Sequence, residues 1–250
     1  MNNLLINFEK AAVTAGVSNR KIDKYTNLVQ DLSYKPKTPL IDFSYQEKNP
    51  ITNYVTNMTP SVIEESPNGN LISYDVYTRL MKDRVMFIGH PIMTEVTNIA
   101  IAQILFLEMT DAKKDIVMYI NSPGGDVNAG LSLINVMDYV LPDVSTVVVG
   151  MAASMGAVIL SCGAKGKRFG LLDSRVMIHQ PSGGMQGKSD DMEVQYQQMT
   201  LVKKRLYDIL AEKSGQTYEQ ILDKSKLDYW MSSGEAKQEG FIDDVLIKRK

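Results

Sequence analysis

Ser154 lies within 150–156, a stretch of small residues that joins a strand-like apolar run to a candidate helix. The run covers 144–149 and the helix candidate covers 155–162. Glycine and alanine around Ser154 let the backbone turn sharply and let another chain approach closely. A serine at a helix start lies beside peptide N–H groups and the positive end of the helix dipole, which suits a nucleophile that forms a negatively charged intermediate. The commonest alternative role is a simple N-cap.

A nucleophilic serine needs a general base, and the sequence holds two histidines, His90 and His179. Each follows a short strand-like run, and the carboxyl ends of parallel strands are where ligand sites gather. His179 follows the run after the Ser154 helix and is the better candidate; His90 stays an alternative by position. A carboxylate must orient such a base. Spacing leaves four carboxylates open: Asp173, Asp190, Asp191 and Asp228.

Strands that alternate with helices must position these side chains. Strands are predicted at 85–88, 116–120, 144–149, 168–171, 176–179 and 241–247. Helices are predicted at 94–107, 127–139, 155–162, 190–212, 218–227 and after Ser232, which has capping-box spacing. In 94–107, the side expected to be apolar consists of Val96, Ile99, Ala100, Ile104 and Leu107. The alternation predicts βαβ units with a mainly parallel sheet, and the loops 123–125 and 153–155 lie at its carboxyl edge.

A glycine-rich segment, 180–187, precedes the long predicted helix 190–212. Apolar side chains recur on one stripe of this helix: Met192, Tyr196, Met199, Val202, Leu206 and Ile209. Such a stripe indicates either core packing or a subunit interface, and the preceding flexible segment leaves both open.

Composition excludes several classes of protein. The 250 residues are 44% hydrophobic and 22% charged with a net charge of −2, which supports a sizeable core and argues against a general nucleic-acid or membrane-surface binder. One cysteine allows no intrachain disulfide, and two histidines make a His/Cys metal site improbable. No apolar run is long enough to span a membrane, and no signal or transit peptide is recognised. We expect a cytoplasmic protein without metal or cofactor.

Residues 1–57 differ in character from the rest. Two short amphipathic helices are predicted within 1–32, and prolines at 36, 39 and 50 indicate a linker over 33–57. The domain prediction is an N-terminal extension or propeptide at 1–57 and one domain at 58–250.

Residues from about 58 to 246 closely resemble the ClpP family of ATP-dependent serine peptidases. The matching stretches are INSPGG (120–125), GMAASMG (150–156), GAKGKR (163–168), VMIHQP (176–181), GGMQG (183–187) and 230–242. Several long motifs in the right order are far more specific than one serine-containing pentapeptide. The resemblance implies a crotonase-like α/β spiral of βαβ units with a protruding strand-helix handle, which here corresponds to 183–187 and the helix from Asp190.

The resemblance also assigns roles. Ser154 matches the nucleophile, His179 the general base and Asp228 the orienting acid. The backbone N–H groups of Gly125 and Met155 match the oxyanion hole. Substrate contacts are expected at Gly124, Asp126 and Val127.

The family forms two stacked seven-membered rings around a proteolytic chamber, so the implied partners are thirteen further copies, an AAA+ unfoldase of the ClpX, ClpA or ClpC type, and unfolded protein substrates. The chain has no P-loop signature, so the ATPase must be separate. Residues 59–74 match the axial-pore segment. Unfoldase docking is expected at Val117, Tyr119 and Tyr139, with a shallower dock at Val117, where the family often has an aromatic residue.

Two further positions depart from the family. Leu227 stands where an arginine usually pairs the rings, and Asp126 replaces a small or apolar residue beside the oxyanion glycine. A carboxylate pointing inward would disfavour developing negative charge, whereas one pointing to solvent would cost little.

The predicted function is therefore a serine endopeptidase that cuts unfolded chains, mostly after apolar residues. The alternatives are a non-catalytic ring subunit that assembles with active paralogues, a Ser-Lys enzyme of the same spiral, and a crotonase-type acyl-CoA enzyme. The Ser154, His179 and Asp228 match argues against all three.

Overall fold

The computed structural model describes residues 60–248. The helices predicted within 1–32, the linker 33–57 and the boundary between 57 and 58 lie outside this range. The described chain divides after Arg79 into two compact units. No helix between residues 60 and 248 is long and apolar enough to cross a membrane.

The first unit contains an antiparallel hairpin that was not among the predicted strands. Strand β1 (Ser61–Glu65) pairs with β2 (Leu71–Asp75), with Val62 opposite Tyr74. Helix α1 (Val76–Lys82) begins in this unit, where the Asp75 carboxylate accepts a hydrogen bond from the Thr78 backbone N–H at 2.9 Å. The hairpin lies in the stretch predicted to be the axial-pore segment, whose role stays a prediction.

The second unit is built on a sheet whose central path is wholly parallel. Its order is β3 (Val85–Ile88), β4 (Ile116–Ser122), β5 (Val144–Ala153), β6 (Arg168–Leu171) and β9 (Asp244–Leu246). The carboxyl half of β5 leaves β6 and pairs with β7 (Arg175–Ile178), which in turn pairs antiparallel with β8 (Tyr229–Ser232). The long strand β5 therefore connects the central sheet to the β7–β8 ribbon.

Six helices accompany these strands: α2 (Thr94–Thr110), α3 (Val127–Tyr139), α4 (Met155–Ser161), α5 (Ser189–Ser214), α6 (Tyr218–Lys224) and α7 (Ser233–Gln238). Neighbouring residues explain where several of these helices begin or end. The side chains of Thr217 and Ser232 form capping boxes that start α6 and α7. Helix α5 is followed directly by Gly215, whose φ of 78° favours glycine and ends the helix.

The core lies around β4 and α4. Alternate residues of β4, namely Ile116, Met118 and Ile120, are completely buried, and every residue of α4 is buried. A helix that is apolar on all sides is stable only when surrounded by protein, so α4 gives the loop before it a rigid support.

The predicted α/β architecture with a mainly parallel sheet is confirmed. The bounds of α3 and β6 are those predicted, and the predicted capping box at Ser232 is present. Other details differ, and the final strand, predicted at 241–247, spans only Asp244–Leu246. Ile99 is half exposed, whereas Thr97 is buried because its hydroxyl bonds to the backbone of its own helix. Strand β5 continues to Ala153, and no strand is assigned to 179–188 in this chain, because a strand needs a pairing partner.

Candidate active site

Ser154 occupies a sharp turn between β5 and α4. Its φ and ψ are 53° and −122°, and its backbone N–H donates to the carbonyl of Met177 at 2.8 Å. A positive φ in a residue other than glycine costs on the order of 1–3 kcal/mol and persists only where the surroundings impose it. The side chain makes no capping bond to the helix. The N-cap alternative is therefore wrong for this hydroxyl, which projects toward His179.

His179 follows β7 directly and faces Ser154. The parallel pairing of Ala153 with Met177 brings the ends of β5 and β7 together. The His179 Nε2 atom lies 2.9 Å from the Ser154 Oγ. This is the distance at which an imidazole nitrogen can take the proton of a hydroxyl.

Asp228 immediately precedes β8. Because Tyr229 is opposite Ile178 in the β7–β8 ribbon, Asp228 lies beside His179. Its Oδ1 atom is 3.0 Å from the His179 Nδ1. The geometry thus distinguishes Asp228 from the other three acids. Asp190 and Asp191 lie in the first turn of α5, and Asp173 lies in the turn before β7.

His90 takes no part in this group of side chains. Its backbone carbonyl accepts a hydrogen bond from the Ser122 hydroxyl at 2.7 Å, and that hydroxyl also accepts one from the Gly124 N–H at 3.2 Å. His90 therefore contributes its backbone to the shape of the neighbouring glycine loop.

The loop containing Gly124 and Gly125 packs directly on the Ser154 turn. A Cβ atom on Gly124 would lie 2.6 Å from the Ala153 carbonyl oxygen and 2.7 Å from the Ser154 Cβ. Gly125 has a φ of 148°, and a Cβ there would lie 2.3 Å from the carbonyl oxygen of Ile92. Only glycine fits at both positions.

The backbone donors predicted for the oxyanion hole belong to these two loops. Met155 is the first residue of α4, where a peptide N–H has no partner inside the helix. The bridge between Ile92 and the glycine loop uses the Gly124 carbonyl and the Asp126 N–H, so it does not engage the Gly125 N–H. Neither N–H group donates to a backbone carbonyl within residues 60–248.

Asp126 caps the helix that follows the loop. Its carboxylate accepts a hydrogen bond from the Ala129 N–H at 2.7 Å at the start of α3. This interaction accounts for an acid beside Gly125, because the charge is directed toward the N-terminus of a helix.

A pocket opens beside Ser154 and His179. Its remaining lining is Val127, Met155, Val158, Ile178, Pro181, Leu206, Tyr207 and Leu210. Apart from the Tyr207 hydroxyl these side chains are apolar. Val127, one of the predicted substrate contacts, lies in this lining. Leu206 was predicted only as part of the apolar stripe of α5, and Tyr207 was not predicted, because residues from helices far apart in the sequence meet here.

The residues predicted to dock an unfoldase do not line this pocket. Val117 and Tyr119 are half-buried on β4, and Tyr139 is 80% exposed at the end of α3. Tyr119 stacks on Phe87 of β3, with ring centroids 5.4 Å apart. Phe87 was not predicted; the parallel register that places it opposite Tyr119 could have indicated it.

Within residues 60–248 no group of three or more histidine, cysteine, aspartate or glutamate side chains is arranged to hold a metal ion. The free thiol of Cys162 is buried, and burial raises its pKa to about 12. Such a thiol is protonated at neutral pH and is a poor nucleophile.

The family model described as Clp protease matches residues 68–249. The matched range contains both glycines of the 124–125 loop as well as Ser154, His179 and Asp228.

Proposed function

This chain belongs to the Clp protease family, and we propose that it is the proteolytic subunit of an ATP-dependent protease, acting as a serine endopeptidase. Family membership establishes a Clp-type protease with the family's α/β fold. The serine chemistry, the identity of the reacting side chains and the dependence on ATP are our proposal.

The observation that carries the proposal is the chain of two contacts through His179. Its Nε2 atom lies 2.9 Å from the Ser154 hydroxyl oxygen, and its Nδ1 atom lies 3.0 Å from the Asp228 carboxylate. A nucleophile, a base and an orienting acid in this order form the arrangement that activates serine in unrelated hydrolases.

In the proposed reaction, the Ser154 Oγ attacks the scissile carbonyl carbon while the His179 Nε2 accepts its proton. Asp228 accepts the Nδ1 proton in a hydrogen bond, which holds the ring in the required tautomer and stabilises the imidazolium. The Gly125 and Met155 N–H groups donate to the tetrahedral oxyanion. His179 then returns the proton to the leaving amine, and water hydrolyses the acyl-enzyme by the same steps.

The substrate is an unfolded protein chain. The pocket beside Ser154 receives an apolar side chain that precedes the cleaved bond, with Val127 and Leu206 among its walls. The glycine loop, including Gly124, lies where an extended backbone must approach the nucleophile. A cleavage preference for apolar residues follows from this lining.

Hydrolysis of a short fluorogenic peptide tests the proposal. Ser154→Ala is expected to reduce kcat by on the order of 10⁴-fold or more, as removal of a triad nucleophile does elsewhere. Ser132→Ala is the matched control, because the Ser132 hydroxyl donates to the Ala129 carbonyl of its own helix. An assembled wild-type protein that does not hydrolyse the peptide would favour a non-catalytic ring subunit instead.

The family implies an oligomeric assembly and an unfoldase partner in general. We propose a homo-tetradecamer of two heptameric rings and a separate AAA+ ATPase that feeds it. The proposed docking surface for that ATPase consists of Val117, Tyr119 and Tyr139, with Phe87 added because it stacks on Tyr119.

Residues 1–57 are proposed to be either a removable propeptide or a retained docking extension, with the protease domain at 58–250. Intact-mass analysis of the wild type and Ser154→Ala, each expressed alone, distinguishes these. Processing in the wild type only would indicate self-cleavage. Full-length, active wild-type protein would reject an inhibitory propeptide.

A further inference from the structure

Strand β5 changes its neighbour just before it reaches Ser154. Its first half pairs with β6 as far as Val148, and its second half pairs with β7 from Met151 onward. The junction between the two halves therefore lies at residues 149–150. Because the direction of the second half sets the position of Ser154, whatever fixes this junction also affects the nucleophile.

An irregularity in the pairing of β4 with β5 coincides with this junction. The pairs on its two sides are Ile120 with Val148 and Ser122 with Ala152. Three residues of β5 thus lie across from a single residue of β4, Asn121. Bulges of this kind bend the longer strand, and they are over-represented next to active sites, where they redirect a side chain.

The Asn121 side chain bonds to the bulged strand. Its Oδ1 atom accepts a hydrogen bond from the Met151 backbone N–H at 3.1 Å. Gly150 makes room for this contact, because a Cβ atom there would lie 2.5 Å from the same oxygen. The φ of Gly150 is not positive. The close approach of the Asn121 amide, and not the backbone conformation, therefore accounts for a glycine at this position.

The two strands joined by this bond lead to the two proposed oxyanion donors. Strand β4 continues through Ser122 to Gly125, and β5 continues through Ala153 to Met155. Oxyanion donors must lie about 2.7–3.1 Å from the atom on which the charge develops. A shift of one strand along the other would therefore take one of the two N–H groups out of reach.

We propose that Asn121 is a positioning residue for the oxyanion hole. Its side-chain bond to Met151 holds the bulge and so sets the distance between the Gly125 and Met155 N–H groups. Because the oxyanion hole belongs to the proposed function, this role rests on that proposal.

Peptide hydrolysis by the full-length wild type is compared with that by Asn121→Ala and Asn121→Asp. Alanine removes the acceptor, so kcat is expected to fall about tenfold while KM changes less than about twofold, because the donors act in the transition state. Aspartate keeps an acceptor oxygen, and its kcat is expected to stay within about twofold of the wild-type value. The inhibition constant of a peptide boronic acid, a transition-state analogue, is expected to rise in Asn121→Ala by the same factor as kcat falls.

Gly150→Ala tests the same bond from the other strand. The added methyl group would displace the Asn121 Oδ1 atom, so this variant is expected to lose about as much kcat as Asn121→Ala. In the double variant the shortened side chain at position 121 leaves room for the methyl group. Its loss is therefore expected to be no greater than that of either single variant.

Asn98→Ala is the matched control. Asn98 is exposed on α2, and the kcat of this variant is expected to equal that of the wild type. Rates are expressed per active site, titrated with a fluorophosphonate, so that partial unfolding does not mimic a lower kcat.

The outcomes separate the proposed function from the role of Asn121. An inactive, assembled wild type would contradict the proposed function and this role with it. With an active wild type, an unchanged kcat in Asn121→Ala or an equal loss in Asn121→Asp would overturn the positioning role alone. A change confined to KM, or losses that multiply in the double variant, would do the same.

Discussion

Ser154 combines a strained backbone with a hydroxyl that does not serve its own helix. The positive φ turns the side chain away from the capping position, and the hydroxyl lies next to His179 instead. Glycine at 124 permits this turn, because its missing side chain leaves room for the Ser154 Cβ. The missing side chain of Gly124 is therefore as necessary for this site as the Ser154 hydroxyl itself.

Gly124→Ala is expected to lower peptidase activity at least about 100-fold, because a methyl group would meet the Ala153 carbonyl oxygen and the Ser154 Cβ and shift the nucleophile. Gly89→Ala is the matched control, since nothing lies within 4 Å of a Cβ there and its φ is not positive. Steady-state kinetics on both variants provides the measurement. Near-wild-type activity in Gly124→Ala would show that the loop is not packed against the nucleophile in the way described.

At the scale of elements, an ion pair fastens the beginning of β6 to the segment before β9. The Arg168 guanidinium is buried and donates to both oxygens of Asp243, at 2.9 and 2.6 Å. It also donates to the carbonyl of Lys213 at the end of α5, at 2.7 Å. Arg168 therefore holds together three elements that are far apart in the sequence.

This ion pair predicts a pH-dependent stability. Burial raises the pKa of Asp243, but hydrogen bonds from Arg168 outweigh this, and the pKa lies below its ordinary value of 3.8. A carboxyl group with a depressed pKa stabilises the folded state above its unfolded pKa, and this contribution is lost as pH falls through the folded pKa. We expect Asp243→Asn to destabilise the protein by about 2 kcal/mol at pH 7.

Thermal unfolding midpoints of wild type and Asp243→Asn are measured from neutral pH to about pH 3. The difference in stability between the two proteins is expected to narrow as pH falls. Asp244→Asn is the control, because its partner Lys237 is exposed and such pairs contribute little. Equal stability of Asp243→Asn and wild type at neutral pH would show that the pair does not stabilise the fold.

The elements that periodicity alone determines could be predicted from sequence, and those that depend on distant contacts could not. Helix α3 has the predicted bounds because its apolar residues follow one helical period throughout. The hairpin β1–β2 was missed, since its half-buried strands carry no long apolar run. The direction of the Asp126 side chain depends on the helix that it caps. Spacing alone left four acids open, because the β7–β8 register decides that Asp228 lies beside His179, and only the family resemblance pointed to it in advance.

At the scale of the whole molecule, helix α5 is divided between two environments. Its second half is buried through Leu206, Tyr207, Ile209 and Leu210. Its first half exposes apolar side chains: Met192, Val194, Tyr196 and Leu201. Core packing, one of the two roles predicted for the stripe, applies to the second half of the helix. The interface between copies stays a proposal for the first half, since contiguous apolar patches mark contact surfaces.

Met192→Asp is expected to separate the proposed rings, because a carboxylate would be buried without a partner where the copies meet. Gln198→Asp adds the same charge to an exposed position in this half of the helix and is expected to leave the assembly intact. Sedimentation velocity at micromolar concentration measures both. A wild type that sediments as a monomer would contradict the assembly, and dissociation by both variants would indicate a general effect of charge.

Ser154, activated by His179 and Asp228, is the proposed nucleophile of this protease. The most direct test of this role is to treat the wild-type protein with a fluorophosphonate probe and to locate the modified residue by mass spectrometry of the digested protein. We expect a single phosphonylated residue, Ser154, and no adduct in Ser154→Ala or in wild type unfolded before treatment. An adduct on another serine, or none on an assembled wild type, would contradict it.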